Sequence, residues 1–563
     1  MARMKRFLLP ALLVFAAGTF IGARVGGVFS QPDTLEQLRK LEDAFLLIDR
    51  QYVEEVSPAT LVDKSIGAML EELDPHSSYI DKEQVAKVQE GYRGSFGGIG
   101  IWFEAPPEDT ARVTSIIGGG PSEQVGLMPG DLIVAVDDSS VVGLNSIEIQ
   151  NRIKGPIGTD VTLDVKRRGA DGLVEFVITR GEIPLYSIDA SYMVDDNTGY
   201  LRIGRFAMTT HDEFVEHTRR LMAQGMDRMI LDLRDNPGGI KQTAVRIADE
   251  FLPGGRTIVY TKGRVERESE TDISTPGGLF EDGAVIVLVN ENTASGSEII
   301  SGALQDHDRA LVVGRRTFGK GLVQRPFQLR DGSILQLTVS RYYMPSGRLI
   351  QTPYTDGSLE DYYASKFGSL KEATYSTSDY LEDLPDSLRF ETTHGRTVFG
   401  GGGVMPDIVI APDSLGGMNA PILRAVVRQG ADVRFTREWF LDREAEIRAE
   451  WGERQDDFLA DFQLSDAFME EFWTYAEDFD VKITNGDSGP DDGTFSTADR
   501  AASEDLLRTV MKARLAQRLY GTEAWFPIFN SIDPTVNKAL GFWGDAEELA
   551  SLPQVEAREP RGD

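Results

Sequence analysis

A serine and a lysine are the residues of this chain best placed to break a bond. Ser295 lies in Asn292-Thr293-Ala294-Ser295-Gly296-Ser297-Glu298, just after the apolar run 284–289 and at the opening of a segment, Gly296 to about Gln305, that reads as a helix. A hydroxyl at a helix start has free backbone N–H groups and the positive end of the helix dipole beside it, and both favour developing negative charge. Small neighbours leave room for a carbonyl. Twenty-five residues on, Lys320 sits in Thr317-Phe318-Gly319-Lys320-Gly321-Leu322-Val323-Gln324, the single lysine between Lys262 and Lys366. A lysine accepts a proton only when its pKa is lowered, which burial without a carboxylate partner achieves. Gln324 follows four residues later, within reach of the amine. By spacing alone, a capped helix and a glycine-flanked structural lysine would look the same.

Other chemistries find less support. The chain has no cysteine, so disulfides, thiolate zinc sites and a cysteine nucleophile are excluded. Its five histidines are His76, His211, His217, His307 and His394, and there is no HExxH. His211 and His217 are six apart, which does not put both on one helix face. His307 falls about three turns beyond Ser295 at the far end of the same helix, and Ser295 has no GxSxG elbow. A histidine base and a metal site are therefore disfavoured, and no cofactor is called for. A formal net charge of −32 repels phosphate backbones, so nucleic acid is excluded as a partner.

The elements that must position these residues fall into blocks. At roughly 100–200 residues per domain, 563 residues amount to three or four domains. Arg3, Lys5 and Arg6 precede an apolar run from Phe7 to about Ala23, the pattern of a secretory signal or a retained anchor, assigned to residues 1–30. Apolar residues at helical spacing fill residues 31–90, and Asp74-Pro75-His76-Ser77-Ser78 breaks the pattern as a turn. Residues 91–183 read as a small β-rich module with one short helix near Ser146–Ile153. Strands alternate with helices over residues 184–414, which predicts an α/β core. Residues 415–563 read as helical, with Trp439, Phe440, Phe458, Phe462, Phe468, Phe472 and Trp473 as contacts between helices.

Six ordered segments resemble the carboxy-terminal processing peptidases, also called tail-specific proteases. They are Leu73-Asp74-Pro75-His76-Ser77-Ser78-Tyr79; Asp232-Leu233-Arg234-Asp235-Asn236-Pro237-Gly238-Gly239; the stretch from Val289-Asn290 to Glu298-Ile299; Phe318 through Gln324; Tyr342-Tyr343-Met344-Pro345-Ser346-Gly347-Arg348; and Gly403-Val404-Met405-Pro406-Asp407. The resemblance covers about residues 35–414. It implies a multidomain α/β and β protein with an N-terminal helical segment, a PDZ domain, a ClpP/crotonase-like protease core and a C-terminal helical region. It also implies an exported serine endopeptidase, periplasmic or membrane-anchored, that selects protein or peptide substrates by their free C-termini. Homo-oligomerisation is left open.

Carried over by position, Ser295 is the nucleophile, Lys320 the general base and Gln324 the residue that orients it. The backbone N–H groups of Gly296 and Gly239 form the oxyanion hole. Ser297, two residues on, is the competing nucleophile. Gly98, Ile99, Gly100 and Ile101 resemble the carboxylate-binding loop of a PDZ domain, and Gly126-Leu127-Met128-Pro129-Gly130-Asp131 its turn. Lys154, in Ile153-Lys154-Gly155, stands where the family often has an arginine that links ligand binding to the active site. The competing reading is an inactive PDZ scaffold that only binds C-termini. The intact set of Ser295, Lys320 and Gln324 opposes it.

Overall fold

The computed structural model describes residues 32–105, 109–354, 362, 385–410, 420–486, 489 and 493–553. Residues 1–30, read above as a signal or anchor, lie outside them. Among the described residues no helix is long and apolar enough to cross a membrane.

The chain begins with the helices Pro32–Gln51 and Pro58–Glu71. Ser57 caps the second, accepting from the Thr60 N–H, and Pro58 opens it where a missing N–H costs nothing. The turn at Asp74 follows. There the carboxylate accepts from the His76 and Ser77 N–H groups and closes the loop that starts the strand Ser78–Ile80. A third helix, Lys82–Arg93, leads into the β-rich module.

The module is a sheet ordered Ile101–Glu104, Ala111–Ile116, Leu132–Val136, Asp160–Lys166, Leu173–Thr179, antiparallel throughout. The strand Ile101–Glu104 is its edge. Alternation in the sequence sends Ala111, Val113, Ile133, Val161, Leu163 and Val165 into a core with Ile149 and Ile153 of the helix Ser146–Ile153. Asn145 and Glu148 form a capping box at the start of that helix.

The α/β core is a six-stranded sheet ordered Ile188–Met193, Thr198–Ile203, Arg228–Asp232, Val285–Val289, Leu311–Gly314, Ile408–Val409. Its first pair is antiparallel and the rest are parallel. Strands such as Val285–Val289 are buried along their whole length, because both faces of the sheet are covered. The helices Thr210–Ala223, Lys241–Asp249 and Gly296–Asp306 cover one face. A second, five-stranded sheet lies beside this layer. It runs Ser78–Ile80, Ile334–Tyr343, Thr257–Gly263, Thr271–Ile273, with Leu322–Gln328 also paired to Ile334–Tyr343. The N-terminal turn therefore feeds a strand directly into this second sheet.

The C-terminal region is where sequence reasoning stopped, and the structure gives it two jobs. Most of its helices enclose a core of their own, in which Phe440, Phe458, Phe468, Phe472 and Trp473 are buried and Trp439 and Phe462 pack alongside. A short parallel pair, Lys482–Thr484 with Thr494–Ser496, interrupts the helices. The last helices, Pro534–Ala539 and Trp543–Ala550, cover the other face of the six-stranded sheet. Val536, Ala539, Trp543 and Ala546 meet Tyr200, Ile230, Ile286, Leu288 and Val313 there. Arg234 bridges the two regions, donating to Asp232 on the core and, at 2.7 Å, to Asp533 at the start of Pro534–Ala539. Arg518 of the helix Thr497–Tyr520 reaches Glu104 of the module's edge strand at 2.9 Å.

Because Trp543 closes the sheet's second face, Trp543→Ala should lower the stability of the α/β core by about 3 kcal/mol. Urea denaturation checks this, and a loss below about 0.5 kcal/mol, the size of a surface change, would refute the packing role.

Candidate active site

The sharp turn from the strand Val285–Val289 into the helix Gly296–Asp306 puts Ser295 at the helix's N-terminal end. Its backbone is strained, with φ 54° and ψ −112°, a conformation that costs a non-glycine residue roughly 1–3 kcal/mol. The compensation comes from Glu298, one turn into the helix and wholly buried. Glu298 Oε2 accepts from the Ser295 N–H at 2.8 Å and from the Lys320 N–H at 2.8 Å. Its Oε1 accepts from Thr317 Oγ1 at 2.5 Å and the Gly319 N–H at 2.6 Å. One carboxylate thus fastens the serine segment to the lysine segment. Tyr342, also buried, closes the same gap: its one hydroxyl proton donates to the Lys320 carbonyl at 2.6 Å, and the Ser295 carbonyl lies 3.1 Å from the same oxygen.

Among the described residues the Lys320 side chain makes no hydrogen bond or ion pair. Burial pushes its amine pKa below the ordinary lysine value, against the opposing pull of the Glu298 and Asp74 charges. Glu298 spends its oxygens on backbone and hydroxyl donors, so it shapes the lysine loop without forming an ion pair with the amine. Ser297 is removed from competition: it is fully buried, and its hydroxyl donates to Asn236 O at 3.1 Å.

The turn Asp232–Gly239 completes the site. Asn236, fully buried, accepts the Gly238 N–H on its side-chain oxygen and donates its amide to Ile203 O, while its carbonyl accepts the Ala294 N–H. Gly238, at φ 96°, lies so close to the serine that a Cβ there would stand 2.7 Å from Ser295 Cβ. Only glycine fits. The N–H groups of Gly239 and Gly296 make no hydrogen bond to any described residue, whereas that of Gly238 is consumed by Asn236. At the base of the turn, burial would raise the Asp232 carboxyl. Arg234 and Arg202, with donors from Arg234 and Tyr200, instead hold it well below the usual carboxylate range.

Gln324 lies on the strand Leu322–Gln328, just after a bulge at Val323/Gln324, directly opposite Thr338. Its amide nitrogen donates to Thr338 Oγ1 at 3.2 Å, not to Lys320.

In the β-rich module, the N–H groups of Ile99 and Gly100 have no partner among the described residues, while their carbonyls accept from Ser122 and Ile117. Gly98 precedes them in the pair Ser95–Gly98 with Gly181–Pro184, and Ile101 opens the edge strand that follows. Lys154 ion-pairs with Glu90 at 3.1 Å and sits 3.9 Å over the Phe96 ring. The structure does not bring it to the Lys320–Gln324 segment. Its charge is spent at the joint between the helix Lys82–Arg93 and the module. Arg180 grips the neighbouring Ile153 and Arg152 carbonyls.

Sequence reasoning gave no place to the side chains of Glu298, Asp74 and Thr338, which the structure brings against the Ser295, Lys320 and Gln324 segments. Glu298 had a signal, since Ser295-x-x-Glu298 has the spacing of a capping box. Asp74 and Thr338 are 264 residues apart, and nothing local pairs them.

Comparison with known proteins converges on one family. Residues 197–361 match Peptidase family S41, residues 26–84 the activating protease CtpB N-terminal domain, and residues 112–167 the PDZ domain. The chain is 34% identical over 351 residues to a carboxy-terminal-processing protease of Bartonella bacilliformis, spanning 60% of this chain and 80% of that protein. It is 32% identical over 348 residues to a probable CtpA-like serine protease of Staphylococcus aureus, spanning 61% and 68%. Among solved structures, a photosystem II D1 C-terminal processing protease aligns over 68% of this chain and 94% of its own, at 24% identity and a TM-score of 0.34. The match along most of the Bartonella protein's length establishes that the chain belongs to peptidase family S41, as a PDZ-containing serine protease of the carboxy-terminal-processing kind.

Proposed function

We propose that this serine protease hydrolyses peptide bonds with a Ser295–Lys320 dyad. The observation that carries the reading is the Glu298 clamp, which holds the strained serine and a partly buried, unpaired lysine on two facing loops. Ser295 Oγ attacks the scissile carbonyl carbon as its proton passes to the neutral Lys320 Nζ. The oxygen becomes an oxyanion between the Gly296 and Gly239 N–H groups, each such donor contributing roughly 3 kcal/mol. Collapse expels the amine, which takes the proton back from Lys320 and leaves an acyl group on Ser295. Water, deprotonated by Lys320, then releases the new C-terminus and regenerates the serine.

The PDZ domain supplies selection. The free N–H groups of Ile99 and Gly100, with Gly98 and Ile101 on either side, are suited to a C-terminal carboxylate. The open edge of Ile101–Glu104 is suited to the extended tail by strand addition. Substrates are thus proteins or peptides with free C-termini. The basic-then-apolar N-terminus supports export, to the periplasm or the outer face of a membrane.

Ser295→Ala and Lys320→Ala should each reduce cleavage of an unfolded exported protein on the order of a thousandfold or more. Ser297→Ala should keep a substantial part of the rate. Full activity in Ser295→Ala would sink the assignment.

The pH dependence follows from the lysine. Only its neutral form accepts the serine proton, and burial places its pKa below the ordinary value of about 10.4. The rate should therefore rise with pH through that lowered pKa and level off above it. A kcat/KM flat from acid to strongly alkaline pH would rule out a lysine base.

Amidating the C-terminus of a peptide substrate should weaken both binding and cleavage. Equal turnover of amidated and free peptides would remove the carboxylate from recognition.

A further inference from the structure

Behind Gln324 a chain of polar groups runs out of the protease core and into the N-terminal segment. Thr338 stands across the ladder from Gln324 in the strand Ile334–Tyr343. Its hydroxyl donates to Asp74 Oδ1 at 3.0 Å. A hydroxyl has one proton, so Thr338 Oγ1 meets Gln324 as an acceptor, and the nitrogen end of the glutamine amide must face it. The Gln324 amide oxygen then points the other way and takes no hydrogen bond from any described residue. Asp74 is itself held firmly. It accepts from the His76 and Ser77 N–H groups, and from Ser77 Oγ at 2.6 Å. Ser77 Oγ in turn accepts the Thr338 N–H at 3.1 Å. The pairing of Ser78 with Gln336 keeps the two segments in register. An ionised carboxylate can only accept, so the polarity of the whole chain is set at Asp74.

We infer that Thr338 and Asp74 are positioning residues for the peptidase reaction, fixing the Gln324 amide so that its oxygen, an acceptor, is presented to the Lys320 amine. The inference rests on the Ser295–Lys320 reading and extends it: the turn Asp74–Ser77, 221 residues before the serine in sequence, becomes part of the machinery that aims the base. Asp74 is near enough for its charge to act on Lys320. A lysine has a long flexible stem, and an acceptor fixed at its tip reduces the positions from which the amine can meet the serine hydroxyl.

The test is a double-mutant cycle on the full chain, with kcat and KM measured on one peptide substrate. Thr338→Val keeps the shape and removes the hydroxyl. It should lower kcat about tenfold and leave KM within about a factor of two, since misplacing a catalytic group acts on the chemical step. Thr338→Ser, which keeps the hydroxyl, should restore most of the rate. In a Gln324→Ala background, Thr338→Val should cost nothing more, because the residue it positions is already gone. Asp74→Asn reads the chain from its other end and should likewise lower kcat with KM little changed; because its charge also reaches Lys320 directly, the non-additivity with Gln324→Ala is read from Thr338→Val. Wild-type kcat in Thr338→Val, or losses that multiply with Gln324→Ala, would overturn the inference. Failure of the underlying reading shows separately, as an active Lys320→Ala whatever Thr338 does.

Discussion

A single buried carboxylate sets the separation between the serine segment and the lysine segment. Glu298 lies on the helix that follows the serine, and it receives hydrogen from Ser295, Thr317, Gly319 and Lys320. Burying a charge is costly unless hydrogen bonds replace water, so the lysine loop is held at the one distance that satisfies the acid. The same bonds stabilise the strained turn at Ser295. Because the oxygens are committed to backbone and hydroxyl donors, Lys320 is left without an acid partner, which is the condition for a lysine to lose its proton readily. Replacing the clamp by an ion pair between Glu298 and the amine would keep the loops together but favour the ammonium.

The clamp needs two rigid walls. One is the parallel sheet whose strands end at Asp232 and Val289 and present the turns Asp232–Gly239 and Asn290–Ser295 side by side. The other is the second sheet, which carries Gln324 and Thr338. The first wall is packed on both faces. Its outer cover comes from the end of the chain, where Val536, Ala539 and Trp543 seal the apolar surface and Asp533 shares Arg234 with Asp232. The turn that supplies the free Gly239 N–H is therefore anchored through Arg234 to helices some 300 residues later. A pair of this kind contributes less to net stability than to specifying one arrangement, because desolvating the ions offsets much of their attraction.

The PDZ domain is joined to its neighbours through short polar contacts. Lys154 and Glu90 tie the PDZ domain to the helix that enters it, and Arg518 ties its edge strand to the C-terminal helices through Glu104. The edge strand suited to receiving a peptide tail is thus also the strand that the C-terminal region touches.

The sequence alone determined the block order, the strand–turn–helix around Ser295 and the identity of the family, because each depends on local signals: apolar periodicity, glycine turns and motifs of a few adjacent residues. The helix Ser146–Ile153 falls where the sequence placed it. Ser297 and Ser295 could not be separated by burial until the fold placed Ser297 against Asn236. Nor could Lys154 be placed, since its partner Glu90 is 64 residues away and its other contact is a ring face. Only the tertiary structure decided how Asp74, Thr338 and Gln324 meet, what covers the outer face of the core sheet, and which glycine N–H groups remain free. These are contacts between segments distant in the chain, and hydrogen-bond geometry of a few tenths of an ångström leaves no trace in the order of residues.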